Sequence, residues 1–426
     1  MAHRVVDVNE KLPLIESIPL SFQHLFAMFG ASVLVPILFK IDPATVLLMN
    51  GVGTLLYIFI TKGKIPAFLG SSFAFLSPVF LVMTKFGYNS ALGGFIAAGV
   101  IFIIVALLFK AFGINWINVV FPPAAMGAIV AIIGLELAPV AADMAGIIQK
   151  GNVPLDARNV FVSMATLAII ILGSVVLRGF WKIIPILIGV VAGYIISLIV
   201  GIVNFDAINN APWFSFPTIY TPVFNISAII IIIPAALVVI AEHIGHLIVT
   251  GNIVGRNLAK DPGLHRSLMG DGVSTFLSGW VGSVPTTTYG ENIGVLAITR
   301  VYSVWVIGGA AVISIIISFF GKLSAAIQTI PLPVMGGVSL MLFGVIAASG
   351  IRMLVEAKID YSRPKNLILT AFVLIIGLSG AKLNMGSVSL AGMALATVFS
   401  IIISLLFKLF EITKIMDEEV EPPLEH

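Results

Sequence analysis

Fourteen apolar stretches of roughly 15–30 residues follow one another along the 426-residue chain, separated by short polar connections. They run near 19–39, 43–61, 66–84, 91–109, 115–137, 159–177, 183–203, 226–255, 267–282, 285–299, 301–320, 331–351, 364–380 and 386–407. No soluble core needs so many. In lipid each backbone N–H and C=O must find its partner within the protein, so such stretches become helices. The chain is therefore expected to be an all-α polytopic membrane protein with fourteen transmembrane segments. Charged residues are 10% of the sequence, against roughly 25% in soluble domains, which argues against a globular enzyme.

Loop charge sets the orientation. With a cytoplasmic N-terminus, 17 of the 23 lysines and arginines fall on the inside and 6 on the outside, so the positive-inside rule places both termini in the cytoplasm. The net charge of +3 is set by these loop residues and says little about partners. The absence of cysteine excludes disulfides, thiolate metal sites and cysteine nucleophiles. The segment from Met1 to Pro19 is polar and does not read as a cleavable signal, so the first span is expected to direct insertion. Leu424-Glu425-His426 resembles the start of an expression-tag remnant, and the acidic run Asp417–Glu419 reads as a solvated tail.

Two carboxylates break the apolar pattern. Glu242 follows fifteen uncharged residues, Ser227 to Ala241, and Glu291 lies within Pro-Thr-Thr-Thr-Tyr-Gly-Glu-Asn-Ile-Gly at 285–294. A charged side chain at the bilayer centre costs at least ~2.5–3.5 kcal/mol, so each points to a polar substrate or a proton. Spans 3 and 10 are short and interrupted by Gly, Ser, Thr or Pro, and short extended stretches are expected there. Irregular backbone at membrane depth is tolerated where it lines a cavity or is buried in protein. Helices that start after such stretches leave free N–H groups for substrate oxygens. The two carboxylates can accept from ring N–H groups. A planar molecule with alternating N–H and C=O would satisfy both sets.

The halves of the chain resemble each other in order. Gln23-His24 matches Glu242-His243 at an offset of 219, and Asn50–Leu56 matches Asp271–Leu277 at 221. Pro66 matches Pro285 at 219, and Pro122–Gly127 matches Pro331–Gly336 at 209. Seven spans per repeat is odd, so the second copy would start on the opposite side: two inverted 7-segment repeats, with the substrate at the midplane between the broken spans. Offset 219 carries Ser72 onto Glu291, so Gly70–Phe73 is expected to face Thr288–Asn292 across the pseudo-two-fold axis.

The residues from Glu291 to Arg300, an acid and Asn followed by spaced Gly, Thr and Arg, resemble the signature of the nucleobase–ascorbate transporters (nucleobase–cation symporters). Glu242-His243-Ile244-Gly245-His246 resembles that family's eighth-span motif, and Gly70–Phe75 its third span. The likeness runs from about Leu12 to Phe410, is nearest to bacterial permeases for uracil, and shows no departure at the motif positions. It implies a proton-coupled carrier of uracil that works by alternating access in the bacterial cytoplasmic (inner) membrane. Glu242 and Glu291 would hold the ring edge, backbone groups of Phe73 and Gly290 its oxygens, and Tyr289 would line the pocket. Glu242 and His246, one turn apart on one face, would couple the proton. Ser71, Ser72, His24 and Asn292 would support the site.

The resemblance further implies a core domain (19–111 and 226–320), a gate domain (112–203 and 321–410), an extracellular loop (204–225) and cytoplasmic tails (1–18 and 411–426). A homodimer through the gates, uracil and protons would be its partners, with the lipid bilayer around it and no nucleic acid, cofactor or metal involved. Purine-selective relatives typically carry Gln at the position of Glu291, which favours uracil over xanthine or uric acid. A proton- or sodium-coupled permease for those or another nucleobase is the alternative.

Plainer roles stand beside these. The glutamates could form structural interhelical hydrogen bonds, and His24 and His246 could serve packing. His243 and His246 are spaced for a metal but lack a third ligand nearby, and the order is not His-Glu-x-x-His. Asp271 reads as an end-of-helix residue beside Arg266. A channel would need a continuous polar lining, whereas these polar groups cluster at one depth. An intramembrane protease would need a nucleophile elbow or oxyanion motif beside Ser71, Ser72 and His246, and none is present.

Overall fold

The computed structural model describes residues 5–414 except 115, 152 and 387. Most of the expected tail 411–426, including Asp417–Glu419 and Leu424–His426, lies outside the described residues, as does the start of the 1–18 tail.

The chain opens with α1 (Leu14–Ala27) and α2 (Phe29–Phe39), which meet at a 42° bend. The first apolar stretch is thus one kinked unit that starts earlier than its composition indicates. Next come α3 (Pro43–Ile60), β1 (Leu69–Ser71), a 3₁₀ turn (Phe73–Phe75), α4 (Leu76–Phe86) and α5 (Tyr88–Phe112). A short α6 (Ile117–Val120) leads to α7 (Pro123–Glu136), α8 (Ala138–Met144), α9 (Ala157–Val176), α10 (Pro185–Val200) and the short α11 (Asp206–Asn210). The second half holds α12 (Ile226–Val254), α13 (Leu264–Val281), β2 (Thr286–Thr288), α14 (Gly290–Thr299) and α15 (Val304–Ser318). The chain ends with α16 (Gly321–Gln328), α17 (Leu332–Glu356), α18 (Pro364–Leu378), a hairpin of β3 (Lys382–Met385) and β4 (Val388–Ala391), and α19 (Gly392–Ile412).

Local chemistry sets several of these boundaries. Proline occupies the first turn of α3, α7, α10, α17 and α18, where its missing N–H is no loss. Asp42, Asp156 and Asn225 accept hydrogen bonds from backbone N–H groups at the starts of α3, α9 and α12. Gly201, Gly255 and Gly282 take the left-handed conformation that closes α10, α12 and α13.

A helix falls in each of the fourteen apolar stretches. Among the described residues, seven helical stretches are long and apolar enough to cross a membrane, with α7 and α8 together as one of them, or eight if the α1–α2 pair is one span. Large apolar side chains on their outer surfaces, such as Leu172, Val175 and Val355, are exposed, as a lipid-facing surface requires. The chain is a predominantly helical, multi-pass membrane protein. The β3–β4 hairpin ahead of α19 is an addition to the expected all-α fold.

Packing follows a paired pattern. α13 lies on α5 as α15 lies on α3; α10 lies on α9 as α19 lies on α18; α17 packs on α9 as α7 packs on α18; and α7 and α17 pack on each other. Small residues allow the close approaches, with Gly134 against Phe343 and Ala347, and Gly350 against Ala131.

Both interrupted stretches are extended. β1 and β2 pair antiparallel, with Leu69 opposite Thr288, Gly70 opposite Thr287 and Ser71 opposite Thr286. The ladder continues at both ends, where Ser72 N donates to Pro285 O (3.0 Å) and Tyr289 N to Phe68 O (3.2 Å). This register corrects the expected facing of Gly70–Phe73 with Thr288–Asn292: the opposed residues lie earlier in the second stretch, because the strands end where the turn at Phe73 and α14 begin. Two-stranded sheets leave backbone groups open at their edges. Helix hydroxyls supply partners: Leu69 N donates to Thr54 Oγ1 (2.9 Å), and Thr286 N donates to Thr275 Oγ1 (3.2 Å), which donates to Thr286 O (3.0 Å). Thr54 and Thr275 occupy matching positions in the two similar sequence segments.

Candidate substrate-binding site

A cavity of about 340 Å³ opens beside the ends of the two strands. Its floor is built from chain breaks. The turn at Phe73 follows β1, and α14 starts at Gly290 directly after β2, so two helical N-termini meet at one place. The first N–H groups of a helical turn have no partner within it and can donate to an acceptor in the cavity. Phe73 is half-buried and Gly290 is exposed at the lining.

Glu242 reaches the cavity from α12, and Glu291 from the first turn of α14, where a carboxylate is favoured by the helix dipole. His246 lies one turn beyond Glu242. Its Nδ1 stands 2.8 Å from the carbonyl of Thr288, which can only accept, so Nδ1 carries the hydrogen and the neutral ring keeps its lone pair on Nε2. A Cβ placed on Gly290 would lie 3.4 Å from that Nε2, so glycine keeps the space beside the imidazole open.

Ser71 and Ser72 line the cavity with buried hydroxyls that have no hydrogen-bond partner among the described residues. Tyr289 is buried against the strands, and its hydroxyl donates to the carbonyl of Ser71 (2.9 Å). Its ring lies where a Cβ on Gly70 would sit, so only glycine at 70 lets the tyrosine fasten one strand to the other. His24 and Asn292 do not line the cavity. Asn292 Nδ2 donates to His24 Nδ1 (3.2 Å) and to His24 O (3.1 Å), joining α14 to α1 behind the site.

Several nearby residues were not singled out from sequence. Ser349, Arg352, Met353 and Glu356 of α17 and Val130 of α7 form the facing wall. Arg352 Nε donates to Glu356 Oε1 (2.6 Å) at the mouth. In sequence these two look like loop charges at the end of a span; their i, i+4 spacing was the available signal. Phe343 of the same helix meets Phe73 edge to face at 5.9 Å.

Asp271 departs from its expected place at a helix end beside Arg266. It lies in the middle of α13, fully buried, 2.7 Å from His243 Nδ1. His243 Nε2 meets Ser267 Oγ (2.8 Å), which meets the Tyr57 hydroxyl (2.6 Å). Thr287 Oγ1 donates to Asp271 (3.3 Å), so this buried chain braces β2 from behind. Arg266 instead donates to the carbonyl of Ile60. The sequence reading missed this because helix α13 begins earlier, at Leu264.

The fold and the site define a transporter-like protein: multi-pass helices around a cavity where two carboxylates and two helical starts meet at chain breaks. Residues 15–386 match the sequence model of the Permease family, and the chain belongs to that family. It is 62% identical over 415 residues to the uracil permease of Escherichia coli (strain K12), covering 97% of this chain and 96% of the relative. It is 61% identical over 422 residues to that of Paenibacillus larvae, covering 98% and 100%. The uracil permease of Bacillus subtilis is 47% identical over 396 residues, covering 91% of each. Among solved structures, SLC26A9 aligns with a TM-score of 0.70 at 12% identity, covering 93% of this chain and 66% of that one. The transmembrane domain of the cyanobacterial bicarbonate transporter BicA aligns with a TM-score of 0.59 at 13% identity, covering 96% and 99%. At these identities the two structures speak for the fold alone.

Proposed function

We propose that this chain carries uracil into the bacterial cytoplasm together with a proton, by alternating access. The observation that carries the reading is the meeting of Glu242 and Glu291 with the two helical starts at Phe73 and Gly290 on one cavity. Uracil presents N–H donors and carbonyl acceptors around one ring. Carboxylates suit the donors, and free N–H groups suit the carbonyls. The relatives named as uracil permeases support this choice of substrate.

Two carboxylates facing one cavity repel each other, and a proton bound with the substrate removes one of the charges. Glu242 takes that proton, and His246, one turn along α12 and lining the same cavity, serves as a relay through its Nε2 lone pair. The paired packing of α13 on α5 and α15 on α3, with β1 against β2, supports fourteen spans in two inverted repeats. In this reading α1–α5 and α12–α15 form the core that carries the substrate. The helices α7–α10 and α17–α19 form the gate against which it moves and through which two copies pair, with both termini in the cytoplasm. The cavity mouth at Arg352 and Glu356 then faces the cytoplasm, and the chain stands in an inward-facing arrangement.

Labelled-uracil uptake into proteoliposomes, with pH and Na⁺ gradients imposed separately, tests the coupling. Accumulation driven by the pH gradient alone is expected. Accumulation driven only by Na⁺ would replace the proton, and equilibration without accumulation under either gradient would remove the symport.

A further inference from the structure

Glu136, at the last turn of α7, is an acidic residue that the binding cavity does not use. Its Oε1 accepts from the Ser77 hydroxyl of α4 (2.6 Å), and its Oε2 accepts from the backbone N–H of Met393 at the start of α19 (2.9 Å). The approach to α19 depends on Gly392, whose φ of +51° suits glycine and whose missing Cβ leaves the space that the carboxylate fills. The start of a 21-residue helix favours a negative group through its dipole and its free N–H groups.

The partners of Glu136 fall on opposite sides of the cavity seam. Ser77 follows Phe73 by one turn, on the helix that continues from the substrate-facing turn. Glu136 and Met393 belong to the facing helices α7 and α19. Within the facing wall, α7 and α17 run antiparallel, with Gly127 against Gly350 and Leu354, and Gly134 against Phe343 and Ala347. Glu136 therefore lies beyond Phe343, at the end away from the mouth at Arg352 and Glu356. The Phe73–Phe343 contact and the Ser77–Glu136 hydrogen bond close that end.

We propose that Glu136 is a latch: anchored on α19, it holds α4 through Ser77 and keeps the cavity shut on the side opposite its mouth. The latch rests on the alternating-access reading, because opening the closed side requires α4 to leave α7 and the Ser77–Glu136 bond to break. Hydrogen bonds to charged groups are among the stronger ones, so its loss shifts the balance of the two states by roughly tenfold or more. Met393 stays bonded to Glu136 in both states, which keeps the carboxylate aimed and ready to re-engage.

The natural chain has no cysteine, so a Lys85→Cys/Ala138→Cys pair can carry spin labels on exposed positions of α4 and α8 at the closed end. Pulsed electron–electron distance measurements on the full chain are expected to show a longer-distance population. That population should grow roughly tenfold relative to the short one in Ser77→Ala. Ser77→Thr, which keeps the hydroxyl, should restore the original distribution, and Glu136→Gln should shift it in the same direction as Ser77→Ala. Ser77 does not line the cavity, so uracil affinity in the same samples reports on the functional reading separately. Unchanged distances in Ser77→Ala and Glu136→Gln chains that still bind uracil would overturn the latch. Failure of the unaltered chain to bind uracil would overturn the functional reading instead.

Discussion

In the first half of the chain the broken span presents uncharged groups to the cavity, the hydroxyls of Ser71 and Ser72 and the backbone at Phe73. In the second half the matching unit presents Glu291 with the backbone at Gly290. The same asymmetry holds two spans earlier in each half. Gln23-His24 of α1 corresponds to Glu242-His243 of α12. His24 is joined to the amide of Asn292, whereas His243 is joined to the carboxylate of Asp271. The backbone device, a short strand followed by a helical start, is common to both halves; the ionisable chemistry belongs to the second. On this account the first half supplies shape and N–H donors, and the second half supplies the charge that makes transport uphill.

Making the halves alike should have the largest effect. Glu242→Gln gives α12 the residue that α1 already carries at 23. It keeps the size of the side chain but loses the proton acceptor and turns part of an acceptor into a donor. Accumulation of uracil against a gradient is expected to vanish. Leaving a buried group mispaired costs about 1–3 kcal/mol, so affinity should fall roughly 5–150-fold. Concentrative uptake equal to the unaltered chain would remove Glu242 from the mechanism. Gly290→Val tests the shared device, because its methyls would enter the cavity beside His246. Binding should be lost while the detergent-extracted protein keeps its elution profile, and normal binding would place the substrate elsewhere.

His246→Ala sharpens the asymmetry with a smaller expected effect. Uptake should lose much of its dependence on an imposed pH gradient while equilibrative exchange persists. An unchanged gradient dependence would leave the histidine a packing role through Thr288. Smallest is Tyr289→Phe, which removes one hydrogen bond between the strands and keeps the ring against Gly70. A loss of about 1 kcal/mol, or roughly fivefold in affinity with little change in maximal rate, is expected from equilibrium binding and initial-rate uptake. A fall in maximal rate with unchanged affinity would show that the clamp acts on movement instead of on the site.

Much of this was legible in the sequence because membranes enforce simple rules. The apolar stretches, the interrupted third and tenth, and the two carboxylates all followed from hydropathy and from the cost of charge in lipid. The cost of charge marked Glu242 and Glu291, the offset between the halves brought the two broken stretches together, and the family resemblance implied Phe73, Gly290 and His246; all of these line one cavity with Ser71 and Ser72. What sequence did not disclose depends on register and on partners distant in the chain. The strand register turns on where the Phe73 turn and α14 begin. The burial of Asp271 turns on the early start of α13, and the bridge from Glu136 to Ser77 and Met393 joins residues 59 and 257 positions apart. The α17 wall was missed because Arg352 and Glu356 sit where a span meets a loop, and only the fold turns that end toward the cavity.

The central claim is that the charged half and the shared backbone device together select uracil. Competition of labelled-uracil uptake by an excess of other bases tests it most directly. Cytosine replaces a carbonyl and a neighbouring N–H by an amino group and a bare nitrogen, and sites built from hydrogen bonds reject such analogues by up to ~10⁴-fold. Thymine adds one methyl group, which a pocket discriminates by about 1–3 kcal/mol. With each competitor at about tenfold excess, uracil should compete best, thymine and 5-halogenated uracils weakly, and cytosine and purines hardly at all. Xanthine or uric acid competing better than uracil would contradict the substrate reading.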